Sequence, residues 1–184
     1  MDIENDKNAD NAPQWFAMRD LKRPNATVRA YQQLANDGFE VFTPLKWELK
    51  TSRGKRIRRQ IPYVFDLLFV RSTRAALDPK VKETSTLQYR FVKGSKATPM
   101  VVRDTDMERF IKAATASDDA KYYLPDEIAP EMYGKAIKIV GGPLDNIDGH
   151  LLSVKGLRKK RLIVSLPGFF SVAVEVNPEY IRFI

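Results

Sequence analysis

Apolar residues recur along this chain with two different periods, and the change from one to the other divides it. Residues 14–18 alternate weakly and carry Trp15 and Phe16, as a strand does. Pro24 suits the first turn of a helix. Val28, Tyr31, Leu34 and Ala35 then recur at helical spacing until Gly38, a residue suited to end a helix. Residues 39–42 form a second strand, so the chain opens β-α-β. Residues 47–49 and the Ile61-Pro62 step flank a basic stretch centred on Gly54, the pattern of a hairpin or extended loop with charged arms. Residues 63–70, YVFDLLFV, are almost all apolar, which fits a strand buried on both faces. Thr73 is placed to cap a short helix from Arg74, which Pro79 interrupts or follows with a new turn. Residues 87–92 and 100–102 read as strands. Thr105-Asp106-Met107-Glu108 has the form of a capping box, and Met107, Phe110, Ile111 and Ala114 continue it as a helix that fades near Ser117.

Beyond that helix the character changes. Residues 117–131 replace periodicity with acidic residues and two prolines and read as a linker, although Tyr122, Tyr123 and Leu124 within it are suited to dock on a neighbour. From Tyr133 the pattern is all β: residues 135–140, 162–166, 170–176 and 181–184, with Pro167-Gly168 as a turn. Several short strands within about 50 residues predict a small barrel. The fold class is α+β: a tail over 1–12, a first domain over 13–116, a linker over 117–131 and a small all-β domain over 132–184.

Composition removes most catalytic chemistry. The chain has no cysteine, which excludes disulfides, thiolate metal sites and Cys nucleophiles. Its one histidine, His150, cannot make a multi-His site and reads as a surface or turn residue. Gly141-Gly142 precedes Pro143 and matches no phosphate-binding fingerprint. We therefore expect no enzyme, no metal and no cofactor. No apolar run approaches the roughly 18 residues that span a bilayer, and the polar N-terminus has no signal pattern, so no membrane partner and a cytoplasmic location are expected. The formal net charge of +8 favours a polyanionic partner. It concentrates in Arg53, Lys55, Arg56, Arg58 and Arg59, and again in Lys155, Arg158, Lys159, Lys160 and Arg161. Either cluster is a nucleic-acid contact or a solvated face.

One motif is specific. Residues 134–151, GKAIKIVGGPLDNIDGHL, closely resemble a KOW motif: strand, Gly-Pro-apolar, tight loop, then Gly before the next strand. Gly142 and Gly149 permit sharp turns and Pro143 fixes φ. Asn146 stands where KOW motifs usually carry Gly, and Asn tolerates the left-handed region best after Gly. Upstream, APQWFAMR resembles the opening strand of NusG N-terminal domains, and VFTPL over 41–45 their second strand. PYVFDLLFV over 62–70 resembles the family's Pro-Leu-Phe-Pro-Gly-Tyr-Val-Phe-Val strand. Pro62, Phe69 and Val70 agree, while Phe65-Asp66 replaces Pro-Gly and Leu67 replaces Tyr. The PMVV segment over 99–102 resembles the specialised UpxY paralogues, which are similar to RfaH-type factors in role.

The resemblance spans 14–184 and implies a transcription elongation and antitermination factor without enzymatic activity. Its partners would be the clamp helices of the largest RNA polymerase subunit, upstream or non-template DNA, and a small-ribosomal-subunit protein or Rho through the KOW domain. In the UpxY branch the targets would be capsular polysaccharide operons. Leu67, Phe69 and Phe91 match positions that line the family's docking pocket, and Phe65 and Met100 extend that apolar patch; the other reading of all five is core. Arg71, Ser72 and Thr73 would face the polymerase opposite the clamp, unless Thr73 is only a cap. RfaH-like relatives raise a C-terminal helical hairpin that masks the first domain, but the Val- and Ile-rich alternation here favours strands. The competing reading is a ribosome-associated or RNA-binding KOW protein, a class that lacks such an N-terminal domain.

Overall fold

The computed structural model describes residues 12–95, 97–153, 155, 156 and 159–184. All of the expected tail but Ala12 lies outside the described residues, as does Arg158 of the second basic cluster. The chain forms two compact units, Met1–Asp104 and Thr105–Ile184.

In the first unit β1 (Gln14–Asp20) leads through α1 (Ala30–Asn36) to β2 (Glu40–Phe42), the expected β-α-β opening. The helix starts later than Pro24, which turns with Asn25 while Ala26 N–H donates to the Arg23 carbonyl at 2.9 Å. Gly38 ends the helix as expected, with φ of +87° that a side-chain-bearing residue adopts only at a cost. A hairpin of β3 (Leu45–Ser52) and β4 (Lys55–Pro62) follows, then β5 (Leu68–Ser72), α2 (Arg74–Glu83), β6 (Leu87–Tyr89) and β7 (Val101–Val102). The main sheet runs β2-β5-β1-β6, with β7 also on β1, and its pairs are antiparallel. Phe16 and Met18 of β1 and Leu68 and Val70 of β5 pack with Leu34 of α1, Leu77 of α2, and Leu87 and Tyr89 of β6. Trp15, Ala17 and Phe69 alternate to the opposite side and are buried too.

Three expectations need correction here. The run 63–70 is not one strand: β5 starts at Leu68, and residues 63–67 turn. Polar anchoring of that turn overrides the apolar pattern, since Arg29 donates to the Phe65 carbonyl and Arg90 to the Asp66 carboxylate at 3.2 Å. Pro79 does not break α2. The helix keeps its anchor through Leu77, which is fully buried, and its Thr73 cap, whose hydroxyl accepts from Ala76 N–H at 3.2 Å. Thr105 is not a cap, because α3 (Asp104–Thr115) already begins at Asp104. The Asp104 carboxylate, favourable in a helix first turn, accepts from Arg71 at 3.2 Å.

The second unit is all β after α3: β8 (Lys121–Tyr123), β9 (Tyr133–Ile139), β10 (Asp148–Leu152), β11 (Arg161–Leu166), β12 (Phe170–Glu175) and β13 (Ile181–Phe183). The hydrogen-bonded order is β13-β9-β10-β11-β12-β8. Strands, not helices, form where Val and Ile alternate. The boundaries differ from those expected. Residues 105–116 group with this unit, because Phe110 meets Phe170 edge-on at 5.1 Å and Arg109 pairs with Asp148 at 3.0 Å. The 117–131 stretch is not a free linker: β8 pairs along β12, and Ile128 is buried with Leu152, Ile163 and Ala173. Tyr122 and Tyr123 supply the apolar contact that ties it down. The protein is thus α+β, an antiparallel sheet with flanking helices followed by an all-β region.

Candidate functional site

The basic stretch around Gly54 folds as a full-length hairpin. Its two-residue turn has φ of +49° at Arg53 and +75° at Gly54. Positive φ at both central positions is the geometry that matches the twist of paired strands. Register runs from Leu45 opposite Pro62 to Ser52 opposite Lys55, and β3 and β4 form a two-stranded sheet by themselves. The hairpin therefore presents Arg53, Lys55, Arg56, Arg58 and Arg59 together, all exposed. Arg59 pairs with Glu48 at 2.7 Å, and the Arg58 guanidinium lies 4.0 Å from the Trp47 ring centroid. Arg53, Lys55 and Arg56 enter no ion pair among the described residues.

The five apolar candidates separate. Phe91 is exposed at 43 %, and Val92 and Val101 nearby are exposed as well. Residues 90–92 and 98–100 pair as a short hairpin, with Met100 N–H donating to the Arg90 carbonyl at 2.7 Å and Val92 N–H to the Thr98 carbonyl at 3.0 Å. Met100 and Phe65 are half-buried. Leu67 and Phe69 are buried, at 5 % and 0 % exposure, so in this structure they act as core and not as open surface. Their strand positions give the reason: Phe69 pairs across to Ala17 and Phe42 within the sheet, and Leu67 follows the pinned turn.

That turn is held from below by a buried ion pair that periodicity does not reveal. Arg29 and Asp20 meet at 3.1 Å with side chains 6 % and 4 % exposed. Asp20 also accepts from Ala30 N–H at 2.9 Å and Lys22 N–H at 3.0 Å, which caps α1 from a neighbouring strand. Arg29 donates to the carbonyls of Lys22, Arg23 and Phe65 and lies 5.6 Å over the Phe65 ring. Beside it, Arg90 and Arg19 converge on Asp66. Burial lowers the Arg90 pKa, and Asp66 opposes that shift.

In the second unit the Gly-Pro turn has the expected form. Gly142 has φ of +69° and Asn146 of +66°, so Asn does occupy the left-handed region. Asn146 N–H donates to the Ile139 carbonyl at 2.9 Å, and Asp145 accepts from Gly141 N–H at 2.6 Å. A Cβ at Gly142 would come within 2.9 Å of the Tyr180 ring. At Gly149 it would come within 2.3 Å of the Ile163 carbonyl oxygen, so close approach of β10 to β11 requires glycine there. Pro143 follows the two glycines and leads into Leu144 and Ile147, both buried. Of the second basic cluster, Lys155, Lys159 and Lys160 are exposed. Arg161 is buried and donates to the Asp119 carbonyl at 3.0 Å, so it ties down the 119 loop and is no ligand-facing cation. His150 is exposed, with Tyr133 edge-on at 5.6 Å.

The family described as transcription termination factor nusG matches residues 13–111. The chain belongs to the NusG family. It is therefore a transcription factor of the elongation type. Among solved structures it is similar to Thermotoga maritima NusG, reported for its domain interaction, at 13 % identity and a TM-score of 0.43, covering 95 % of this chain and 99 % of that one. No curated protein matches. The family match ends within α3, before the KOW-like turn. Among the described residues no helix is long and apolar enough to cross a membrane, and no three acidic, His or Cys side chains gather to hold a metal ion.

For a NusG-family chain the sequence located the hairpin cations and the Gly-Pro turn. It missed Trp47 and Leu49, which stand exposed on the hairpin at 40 % and 64 %. Their two-residue spacing opposite a strand rich in Lys and Arg was the available signal. It also missed the Asp20–Arg29 pair, for which no local signal exists.

Proposed function

We propose that this protein binds elongating RNA polymerase through its first unit and promotes processive, antiterminating transcription. The family match over 13–111 carries that reading. Phe91, with Val92 and Val101 beside it, is the exposed apolar surface suited to the clamp helices of the largest subunit, and half-buried Phe65 and Met100 support its edge. The mechanism is a population shift: a factor that binds the closed clamp better than the open one favours elongation. The hairpin cations, Arg53, Lys55 and Arg56 above all, contact phosphates of upstream or non-template DNA. The second unit recruits a small-ribosomal-subunit protein or Rho, and the likeness of the PMVV segment to UpxY-type factors supports a role at capsular polysaccharide operons.

Run-off transcription on a template with defined pause sites tests this. Added protein shortens the pauses, and Phe91→Ala abolishes the effect while the fold persists. Neither pause shortening nor retention of polymerase on immobilised protein would be compatible with the proposal. For the hairpin, changing Arg53, Lys55 and Arg56 to Gln lowers affinity and flattens its salt dependence, by about 0.7–0.9 in log–log slope per lost phosphate contact. An unchanged slope rejects the phosphate contact.

A further inference from the structure

The hairpin's two faces carry different chemistry. Trp47 lies opposite Gln60, Leu49 opposite Arg58 and Thr51 opposite Arg56. Residues opposite each other project to the same side of a sheet, and sides alternate along each strand. One face thus presents Trp47, Leu49, Arg56 and Arg58. The other presents Lys46, Lys50, Lys55 and Arg59 around Glu48, with Ile57 exposed among them.

Phosphate contact explains the cations of both faces but not the aromatic ring and the leucine set beside arginines on the first. Trp47 is 40 % exposed and Leu49 64 %, on a sheet of only two strands. Large apolar groups held in water are unfavourable, and these two contribute to no buried cluster of the described residues. The Arg58 guanidinium stacked on Trp47 fixes the ring and adds a second plane to it. A fixed aromatic plane with adjacent cations is the surface that stacks nucleobases, because every base has a π-face and a phosphate beside it. A base inside a duplex has both faces covered by its neighbours. An unpaired base does not. Residues 45–62 hold seven basic side chains against one acidic, so a polyanion is the occupant that charge complementarity selects.

We propose that the Trp47–Arg58 face of the hairpin stacks unpaired bases, so that the hairpin prefers single-stranded nucleic acid to duplex. This rests on the nucleic-acid reading of the hairpin above and adds what that reading leaves open, the state of the strand.

The test titrates the full chain at low salt with oligodeoxythymidylate of roughly a dozen nucleotides, within the span of such platforms, and with a duplex of equal length. The chain has two tryptophans, and Trp15 is 2 % exposed, so quenching of emission reports on Trp47. The single strand is expected to quench it and the duplex is not. With labelled probes read by anisotropy, Trp47→Ala weakens single-strand binding roughly tenfold or more and leaves duplex binding unchanged. Trp47→Phe restores most of the loss, which separates lost stacking from a misfolded hairpin. Equal affinity of the wild type for the two probes, or parallel losses for both in Trp47→Ala, overturns the stacking proposal. The flattened salt slope of the Arg53, Lys55 and Arg56 variant would then still uphold the phosphate contact. Binding of neither probe overturns both, and points to an acidic protein surface as the occupant.

Discussion

Removing Arg29 should cost the first unit a large part of its stability, and of the expected site residues it touches Phe65. Arg29 and Asp20 are almost fully enclosed, at 6 % and 4 % side-chain exposure. Truncating Arg29 to Met leaves a buried carboxylate without its counter-charge, a change that costs about 3–5 kcal/mol where such pairs are broken. It also leaves the carbonyls of Lys22, Arg23 and Phe65 without their donor. Domains of this size are stable by only about 5–15 kcal/mol, so the loss shows plainly in a urea melt. Arg29→Lys keeps the charge but not the planar fork that serves three carbonyls at once. It should lose about 1.5–3 kcal/mol, the worth of a charged hydrogen bond. The double variant Asp20→Leu with Arg29→Met removes both charges and should be more stable than Arg29→Met alone. The assay follows emission of Trp15, which lies in β1 of the first unit, in a Trp47→Phe background. If Arg29→Met melts within about 1 kcal/mol of its parent, or the double variant is no better than the single, the pair does not hold the fold as argued.

The other expectations are narrower. Leu67→Ala should destabilise the first unit by about 2–5 kcal/mol, whereas Phe91→Ala should weaken polymerase retention without moving the melt; equal stability losses at both would contradict their different burial. Gly149→Ala forces a Cβ against the Ile163 carbonyl and should cost the second unit about 1–3 kcal/mol, read by thermal melting. Tyr122 has its pKa raised to about 12 by burial. Its neutral form is favoured in the folded state, so its contribution is complete below pH about 10, the unfolded value, and is lost as pH rises from there through about 12. Tyr122→Phe should make stability fall less steeply across that window, and an unchanged pH profile would show that Tyr122 does not titrate as assigned.

Much of the architecture could be read from local pattern, and the failures share a cause. The β-α-β opening, the hairpin and the strands after Tyr133 follow from periodicity, turn residues and β-branched content. Asn146 in the left-handed region follows from its place in the Gly-Pro turn. What local pattern misplaced depends on partners distant in sequence. Residues 63–67 are apolar enough for a strand, but Arg29 pins them as a turn. Residues 117–131 are polar enough for a linker, yet β8 finds β12 some fifty residues on. Leu67 and Phe69 were candidates for a surface and for a core; the register of β5 against β1 and β2 decides for Phe69, and the pinned turn that precedes it for Leu67.

The hairpin's isolation has one more consequence. Each of its strands is eight residues long and offers an outer edge with unsatisfied backbone groups, the template on which another chain can add a strand. Repulsion between like-charged copies keeps such edges apart. The cations that make the hairpin fit for a polyanion therefore also guard it against its own kind. Concentrated salt screens that repulsion, and charge-stripped variants lack it, so in both cases self-association through these strands should rise as affinity for nucleic acid falls.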